Sequence, residues 1–338
     1  MANMKAMQVK KAGGDFELVE MAIPEPGTHQ IRIKVEACGV CHSDSVTKEG
    51  IIPGIEYPRV PGHEVIGTID KLGGSVSNFK EGQRVGVGWR GGHCFHCEPC
   101  RRGDFTNCQN GKITGVTHDG GYAEYMITPM DACAVVPESL DSLEAAPLLC
   151  AGITTFNALR NAGAIAGDLV AIQGIGGLGH LGIQYAKKMG FKTVAISHGK
   201  EKEELAKKLG ADVYIDSTSD DPAEKLSSMG GARVILATAP NAKAISSVIG
   251  GLGNNGNLVI VGVPQDPLEV SVFLLIMGRK SITGWPSGSA IDWEDTLNFS
   301  DLTGVKTMIE TFPLEKANEA YQHMMENKVR FRTVLKIA

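Results

Sequence analysis

Cys94, Cys97, Cys100 and Cys108 fall on one short stretch in the pattern C-x2-C-x2-C-x7-C. Four thiolates on a single loop suit closed, tetrahedral coordination, the way a structural zinc ion is held. Four-thiolate sets also carry iron–sulfur clusters, and His93 and His96 lie beside this one; the spacing favours zinc. A second set is dispersed: Cys41, His63 and Cys150. Two thiolates and one imidazole leave a fourth position open for water or substrate, the arrangement of a catalytic zinc site. Asp44 is a candidate to accept the free ring N–H of His63 and so fix its tautomer. Scattered cysteines and histidines also sit quietly in cores. Cys38 and Cys41 form a C-x-x-C that a redox pair would use, but that reading leaves His63, Glu64 and Cys150 unexplained. Cys133 has the setting of a small buried hydrophobe.

A third chemistry is written between residues 169 and 179. Leu169–Gln173 has the character of a short buried strand, and it runs into Gly174-Ile175-Gly176-Gly177-Leu178-Gly179 at the start of a helical pattern. This is G-x-G-x-x-G in strand–turn–helix context. Gly174 permits the tight turn, Gly176 lets backbone approach a pyrophosphate, and Gly179 lets helix and strand pack closely. The free N–H groups and helix dipole then hold phosphate. A glycine-rich turn that only needs positive φ would look similar without that context. The acidic residue expected about 20 positions on, to grip a ribose 2′-hydroxyl, is missing: the next strand ends at Ser197, followed by His198, Lys200 and Lys202. A small hydroxyl with nearby cations would accept a 2′-phosphate, which favours NADP(H) over NAD(H). The same cations would equally serve as a solvated helix start over bound NAD(H).

The elements that must position these groups change character near residue 150. Residues 6–136 carry short strands, such as alternating Ile31–Val35, punctuated by Pro24, Pro26, Pro53, Pro58 and Pro61. An irregular β-rich unit is expected there. From Cys150 the pattern alternates: strands at Leu169–Gln173, Thr193–Ser197, Val213–Ile215, Val234–Ala237 and Leu258–Val263, with helices over Gly179–Met189 and Lys200–Leu209. That rhythm predicts a parallel sheet covered by helices on both faces, an α/β fold. It breaks after Trp285, and a helix around Leu314–Glu326 leads into a last strand, Arg332–Ile337.

Composition narrows the class. In 338 residues, 33 basic and 38 acidic side chains give a net charge of −5, which argues against a nucleic-acid binder. The longest uncharged stretches, Leu169–Ala186 and Ala244–Gln265, are broken by glycines and polar residues, so no membrane span is expected. The first 14 residues lack the apolar core of a secretory signal. A cytoplasmic protein with reduced thiols is the expectation, in which clustered cysteines bind metal.

Taken together, the sequence resembles the zinc-dependent medium-chain alcohol dehydrogenases along essentially its whole length. The stretches that carry the resemblance are Cys38–Asp44, Pro61–Gly67, Gly82–Gly86, the four-cysteine loop, Pro147–Gly152 and the glycine turn. The pattern is most similar to microbial primary-alcohol enzymes, with a cofactor strand like that of the cinnamyl-alcohol branch. The resemblance implies a GroES-like catalytic domain of residues 1–150 and 287–338, a Rossmann domain of residues 151–286, and two zinc ions per subunit. It implies a small alcohol or aldehyde substrate, and a homodimer or homotetramer joined near Ser281–Trp285. Val270–Met277, just before that edge, is an unusually apolar run that an ordinary core would equally claim.

Roles follow by position. Cys41, His63 and Cys150 resemble the catalytic zinc ligands, Glu64 the carboxylate that assists ligand exchange, and Ser43 the hydroxyl that passes the alcohol proton outward. His42 and Arg332 resemble pyrophosphate contacts, and Thr154 the residue against the nicotinamide. Trp89 and Ile52 match positions lining the substrate pocket, where a bulky Trp89 favours primary alcohols. One departure stands out: many relatives carry a histidine five residues after the first ligand, and here that place is Val46. Two rival classes share the scaffold. Non-catalytic NADP(H)-binding proteins would be expected to have lost Cys150 or Glu64, and zinc-free quinone or enoyl reductases lack both cysteine sets.

Overall fold

The computed structural model describes residues 2–338, which divide into two compact units: the chain up to Cys150 joined by Gly288–Ala338, and Ala151–Ser287.

The first unit is built on a seven-stranded sheet. Its order is Ile309–Pro313, Arg332–Lys336, Gln30–Val40, Val65–Leu72, Arg84–Val87 and Ala134–Val135, with Tyr125–Pro129 also paired to Gln30–Val40. Alternation explains the long central strand: Ile31, Ile33 and Val35 are fully buried while Arg32 and Lys34 face outward or sit half-buried. Two bulges, between Arg32 and Ile33 and between Val35 and Ala37, bend it as it nears residue 40. Both neighbours run antiparallel to it, pairing Cys38 with Val65 on one side and Thr333 with Val40 on the other. One end of the sheet therefore gathers the end of the first strand and the beginnings of the other two. Cys41, His63-Glu64 and Arg332 arrive at that end from three distant parts of the sequence.

The second unit is a six-stranded, all-parallel sheet. Its order is Val213–Asp216, Lys192–Ser197, Leu169–Gln173, Ala232–Ala237, Leu252–Ile260 and Ser281–Gly284. The order reverses at Leu169–Gln173, the switch point where such doubly wound sheets bind dinucleotides. Leu169–Gln173 is buried at every position, as a strand covered on both faces should be. The glycine turn follows it and opens the helix Gly179–Lys188. Gly174 sits at φ +93°, and a Cβ on Gly179 would lie 1.9 Å from the Gly174 carbonyl oxygen. Nothing lies within 4 Å of where a Gly176 Cβ would stand, so that face of the turn is open.

One region bears on a reading the sequence left open, and one departs from the sequence expectation. Val270–Met277 is divided: Val270 and Leu275 pack on the core of this unit, while the short helix Val272–Ile276 leaves Val272, Phe273 and Ile276 about two-thirds exposed, with Met277 like them. It lies just before the edge strand Ser281–Gly284, where no further strand or helix of this unit follows to cover it. The second is a 14-residue helix, Ala290–Thr303, where the pattern showed only a broken rhythm. Its buried stripe is Trp293, Thr296, Leu297 and Ser300, at helical spacing but half hydroxyl. Thr296 and Ser300 satisfy themselves by donating to carbonyls one turn back, Asp292 and Thr296, at 2.7 Å each. A hydrophobicity pattern misses such a stripe.

Gly179→Ala is expected to destabilise the second unit by about 1–3 kcal/mol, because the contact is with backbone that cannot yield. An earlier denaturant midpoint and weaker dinucleotide binding would both report it; an unchanged midpoint would mean the turn has slack.

Candidate active site

Cys41 ends the central strand and caps the 3-10 turn His42–Asp44, so its thiol is aimed off the end of the sheet. His63 and Glu64 immediately precede Val65–Leu72. Cys150 caps another 3-10 turn, Ala146–Leu149, all four residues of which are buried. The strand ends and this turn bring Cys41, His63, Glu64 and Cys150 together with their ligand atoms within 4.8 Å of one another. Cys41 Sγ and Cys150 Sγ are 3.7 Å apart.

The orientation of His63 decides what the group can do. Its Nδ1 lies 3.1 Å from Asp44 Oδ1, and a carboxylate accepts, so Nδ1 carries the proton. Its Nε2 is buried and has no partner. An imidazole locked this way presents a lone pair toward two thiols. That orphaned atom is what a metal ion would satisfy, and a donor set of two sulfurs and one nitrogen suits zinc with one position left open.

Electrostatics agree. Burial works to lower the His63 imidazole, yet the charge and hydrogen bond of Asp44, with Cys41, lift it well above its ordinary value. The pocket thus favours a positive charge where Nε2 points, which a cation would supply with the ring neutral. The hydrogen bond with Cys150 holds Cys41 well below the usual thiol range, and the same bond, then burial, pushes Cys150 well above it. The two sulfurs therefore titrate as a pair and not as separate thiols. Burial pushes the Glu64 carboxyl up to about 7, against the pull of Arg332.

Arg332 is itself buried, and its Nη2 donates to Glu64 Oε1. Glu64 Oε2 is buried without a partner. The residue matched to a pyrophosphate position thus has its guanidinium on the carboxylate beside the candidate ligands. Around the group, Trp89 packs edge-on against His63, with ring centroids 4.8 Å apart. Ser43 is half-buried, and its N–H lies 3.5 Å from Cys41 Sγ. His42 and Ile52 are exposed and Val46 is half-buried.

Cys38 and Cys133 lie in the core of the first unit. The Cys38 thiol faces the Gly39 carbonyl at 3.6 Å, while Cys41 is turned to Cys150, so the C-x-x-C is not a pair. All eight cysteines are free thiols. Cys94, Cys97, Cys100 and Cys108 form a second group within 4.8 Å. Asn110, donating to Cys94 Sγ at 3.5 Å, pulls that thiol down to about 5. No other set of three or more such side chains gathers in this way among the described residues.

In the second unit, Gly177 and Leu178 are half-buried between the turn's glycines, and Thr154 is half-buried on the helix Ala151–Asn161. Ser197 ends its strand half-buried, and His198 is exposed. Lys202 Nζ donates to the Ile175 carbonyl inside the glycine turn at 2.7 Å. A carboxylate does stand beside Ser197, from the neighbouring strand: Asp216, paired with it in register. Its Oδ1 accepts from Gly199 N at 2.8 Å, Thr218 N at 2.9 Å and Thr218 Oγ1 at 2.7 Å.

Sequence reasoning missed Asp216, the Arg332–Glu64 pair and Tyr122, whose hydroxyl donates to Asp44 Oδ2 at 2.9 Å. Asp216 carried the signal of an acid closing a strand. The other two carried none, since their partners lie 268 and 78 residues away.

Comparison with known proteins agrees with this geometry. Residues 27–138 match the alcohol dehydrogenase GroES-like domain family, and residues 177–301 the zinc-binding dehydrogenase family. The chain is 46% identical over 326 residues to the alcohol dehydrogenase patD of Penicillium expansum, covering 96% of this chain and 95% of that one. It is 38% identical over 336 residues to an alcohol dehydrogenase of Geobacillus stearothermophilus, covering 99% of each. A solved cinnamyl alcohol dehydrogenase of Sorghum bicolor superposes with a TM-score of 0.88 at 32% identity, over 99% of this chain and 98% of that one.

Arg332→Met would leave Glu64 buried without its cation. A loss of about 3–5 kcal/mol in a urea melt is expected, since the cost falls on the stranded charge. Adding Glu64→Gln should recover part of it. A single variant that melts like the parent would contradict the pairing.

Proposed function

The chain belongs to the zinc-type medium-chain alcohol dehydrogenases, and we propose that within this family it interconverts primary alcohols and aldehydes, using NADP(H) in preference to NAD(H). The observation that carries the proposal is His63 Nε2: buried, unpartnered, and fixed toward the thiols of Cys41 and Cys150 by Asp44.

In this reading Cys41, His63 and Cys150 hold the catalytic zinc, and the four-cysteine loop holds a second, structural one. A zinc ion at the open site would act as a Lewis acid on the alcohol or carbonyl oxygen. A bound nicotinamide would supply the two-electron hydride chemistry. The rest falls to the chain's own residues. Asp44 accepts from His63 Nδ1 and keeps the ligand tautomer. Ser43 Oγ takes the alcohol proton and passes it outward in oxidation, and returns one in reduction. Val46 has no proton to carry, so that position does not extend the relay beyond Ser43, and a bound cofactor's ribose, water or another group would have to take its place. Glu64, held by Arg332, stands among the ligands and is suited to assist their exchange. Trp89, edge-on to His63, limits the room beside the ligands and with Ile52 favours unbranched primary substrates.

Cofactor binding is assigned to the glycine turn and Thr154 of the second unit. The preference for NADP(H) rests on Ser197, where many NAD-specific turns carry a carboxylate, and on the basic side chains His198, Lys200 and Lys202. Asp216 is the opposing feature, but its Oδ1 is engaged by three local donors. Assembly as a homodimer or homotetramer is supported by the open edge strand Ser281–Gly284 and the exposed apolar helix before it. Among the described residues no helix is long and apolar enough to cross a membrane. The eight free thiols fit a reducing, cytoplasmic setting.

Cys41→Ser and His63→Ala are each expected to abolish turnover, while dinucleotide binding followed by fluorescence stays near the parent value. A variant retaining most of its activity would overturn the ligand assignment. Initial rates on a panel of aldehydes should be higher with NADPH than with NADH at matched concentrations. Equal or faster reduction with NADH would sink the cofactor preference.

A further inference from the structure

Asp44 is only 2% exposed, and its carboxylate is held on both oxygens. Oδ1 meets His63 Nδ1 at 3.1 Å, while Oδ2 accepts from the Cys41 backbone N–H at 2.8 Å and the Tyr122 hydroxyl at 2.9 Å. Two of these partners belong to the ligand residues themselves. The third comes from a segment that supplies no ligand.

That segment is bound tightly to the one carrying His63. The N–H groups of Gly120, Gly121 and Tyr122 donate to the carbonyls of Val60, Gly62 and Pro61 at 2.8, 2.9 and 3.0 Å. Gly62 sits at φ +100°, and a Cβ there would lie 2.4 Å from Tyr122 Cδ1. The ring thus occupies room that only a glycine before His63 leaves. Phe16 packs edge-on against it, with centroids 5.6 Å apart. Burial, and then the charge of Asp44, raise the phenol well above its ordinary value, so Tyr122 remains a donor.

We propose that Tyr122 is a positioning residue of the open metal site: its hydroxyl pins Asp44 Oδ2 so that Oδ1 keeps His63 Nδ1–H, and with it the Nε2 lone pair, aimed at the metal position between Cys41 and Cys150. The proposal rests on the reading that these three residues hold the catalytic zinc. Tyr122 is fully buried and acts only through Asp44. Without its hydroxyl, Oδ2 keeps one donor in an apolar surround and the carboxylate gains freedom to turn. The imidazole then loses both its orientation and part of its basicity.

The test uses the zinc-loaded protein. Tyr122→Phe keeps the ring, the Phe16 contact and the fit against Gly62, and removes only the O–H. Release of the open-site zinc to a chelator is expected to be about 10–100-fold faster, the usual effect of losing an outer-shell partner. The zinc of the four-cysteine loop should stay bound as an internal control. With cobalt in the open site, the visible bands should shift. Asp44→Asn should speed release as well, and the double variant should be no worse than Asp44→Asn alone, because both act through one chain. Phe16→Leu loosens the ring but leaves the hydroxyl, so it should lower the melting temperature without speeding release. Parental release from Tyr122→Phe, additive effects in the double variant, or equally fast release from Phe16→Leu would each overturn the proposal. A parent protein that binds a single zinc, in the four-cysteine loop, would overturn the reading beneath it, and this inference with it.

Discussion

Everything at the site follows from a problem of buried charge. Cys41, Cys150, Glu64 and Asp44 bring acidic groups into a region from which water is largely excluded. Charge in such a place is stable only when paired. The chain supplies the Arg332 cation for Glu64 and a hydrogen bond from His63 Nδ1 for Asp44. The two thiols are left 3.7 Å apart beside an imidazole nitrogen with no partner. A divalent cation completes that balance and satisfies the orphaned atom in one step.

Topology brings those charges together. Antiparallel neighbours of one central strand place their first residues beside its last ones, so Cys41, His63-Glu64 and Arg332 arrive at one sheet end. Each sits on the rim of a regular element. The side chains are therefore aimed by strands that the core of Ile31, Ile33, Val65 and Leu335 holds in place. Parallel strands in the other unit achieve something similar for the dinucleotide, by ending together at the switch point.

How much of this was legible in the sequence depended on distance along the chain. The four-cysteine loop and the glycine turn are local, so spacing alone revealed their chemistry. The parallel strands were legible because burial on both faces leaves nearly continuous apolar runs, such as Leu169–Gln173. Cys41, His63 and Cys150 could be named as residues of the right type, but Cys41 and Cys150 are 109 positions apart and only the fold brings them to 3.7 Å. Tyr122 was invisible for a different reason: a tyrosine two removes from a metal belongs to no spacing rule. The helix Ala290–Thr303 hid behind its own buried hydroxyls, and the exposed face at Val272–Met277 could not be told from core by composition. Both failures have one cause. Patterns report how apolar a residue is, not whether a partner exists to satisfy or cover it.

The central claim is that the chain holds two different zinc ions, one enclosed by four thiolates and one left open beside His63. Anomalous diffraction from crystals of the purified protein, recorded on both sides of the zinc absorption edge, tests it most directly. The account predicts two peaks. One should lie at the centre of Cys94, Cys97, Cys100 and Cys108. The other should lie about 2.3 Å from the sulfurs of Cys41 and Cys150 and about 2.0–2.1 Å from His63 Nε2. A single peak in the four-cysteine loop, with no scatterer beside His63 in zinc-replete protein, would contradict it.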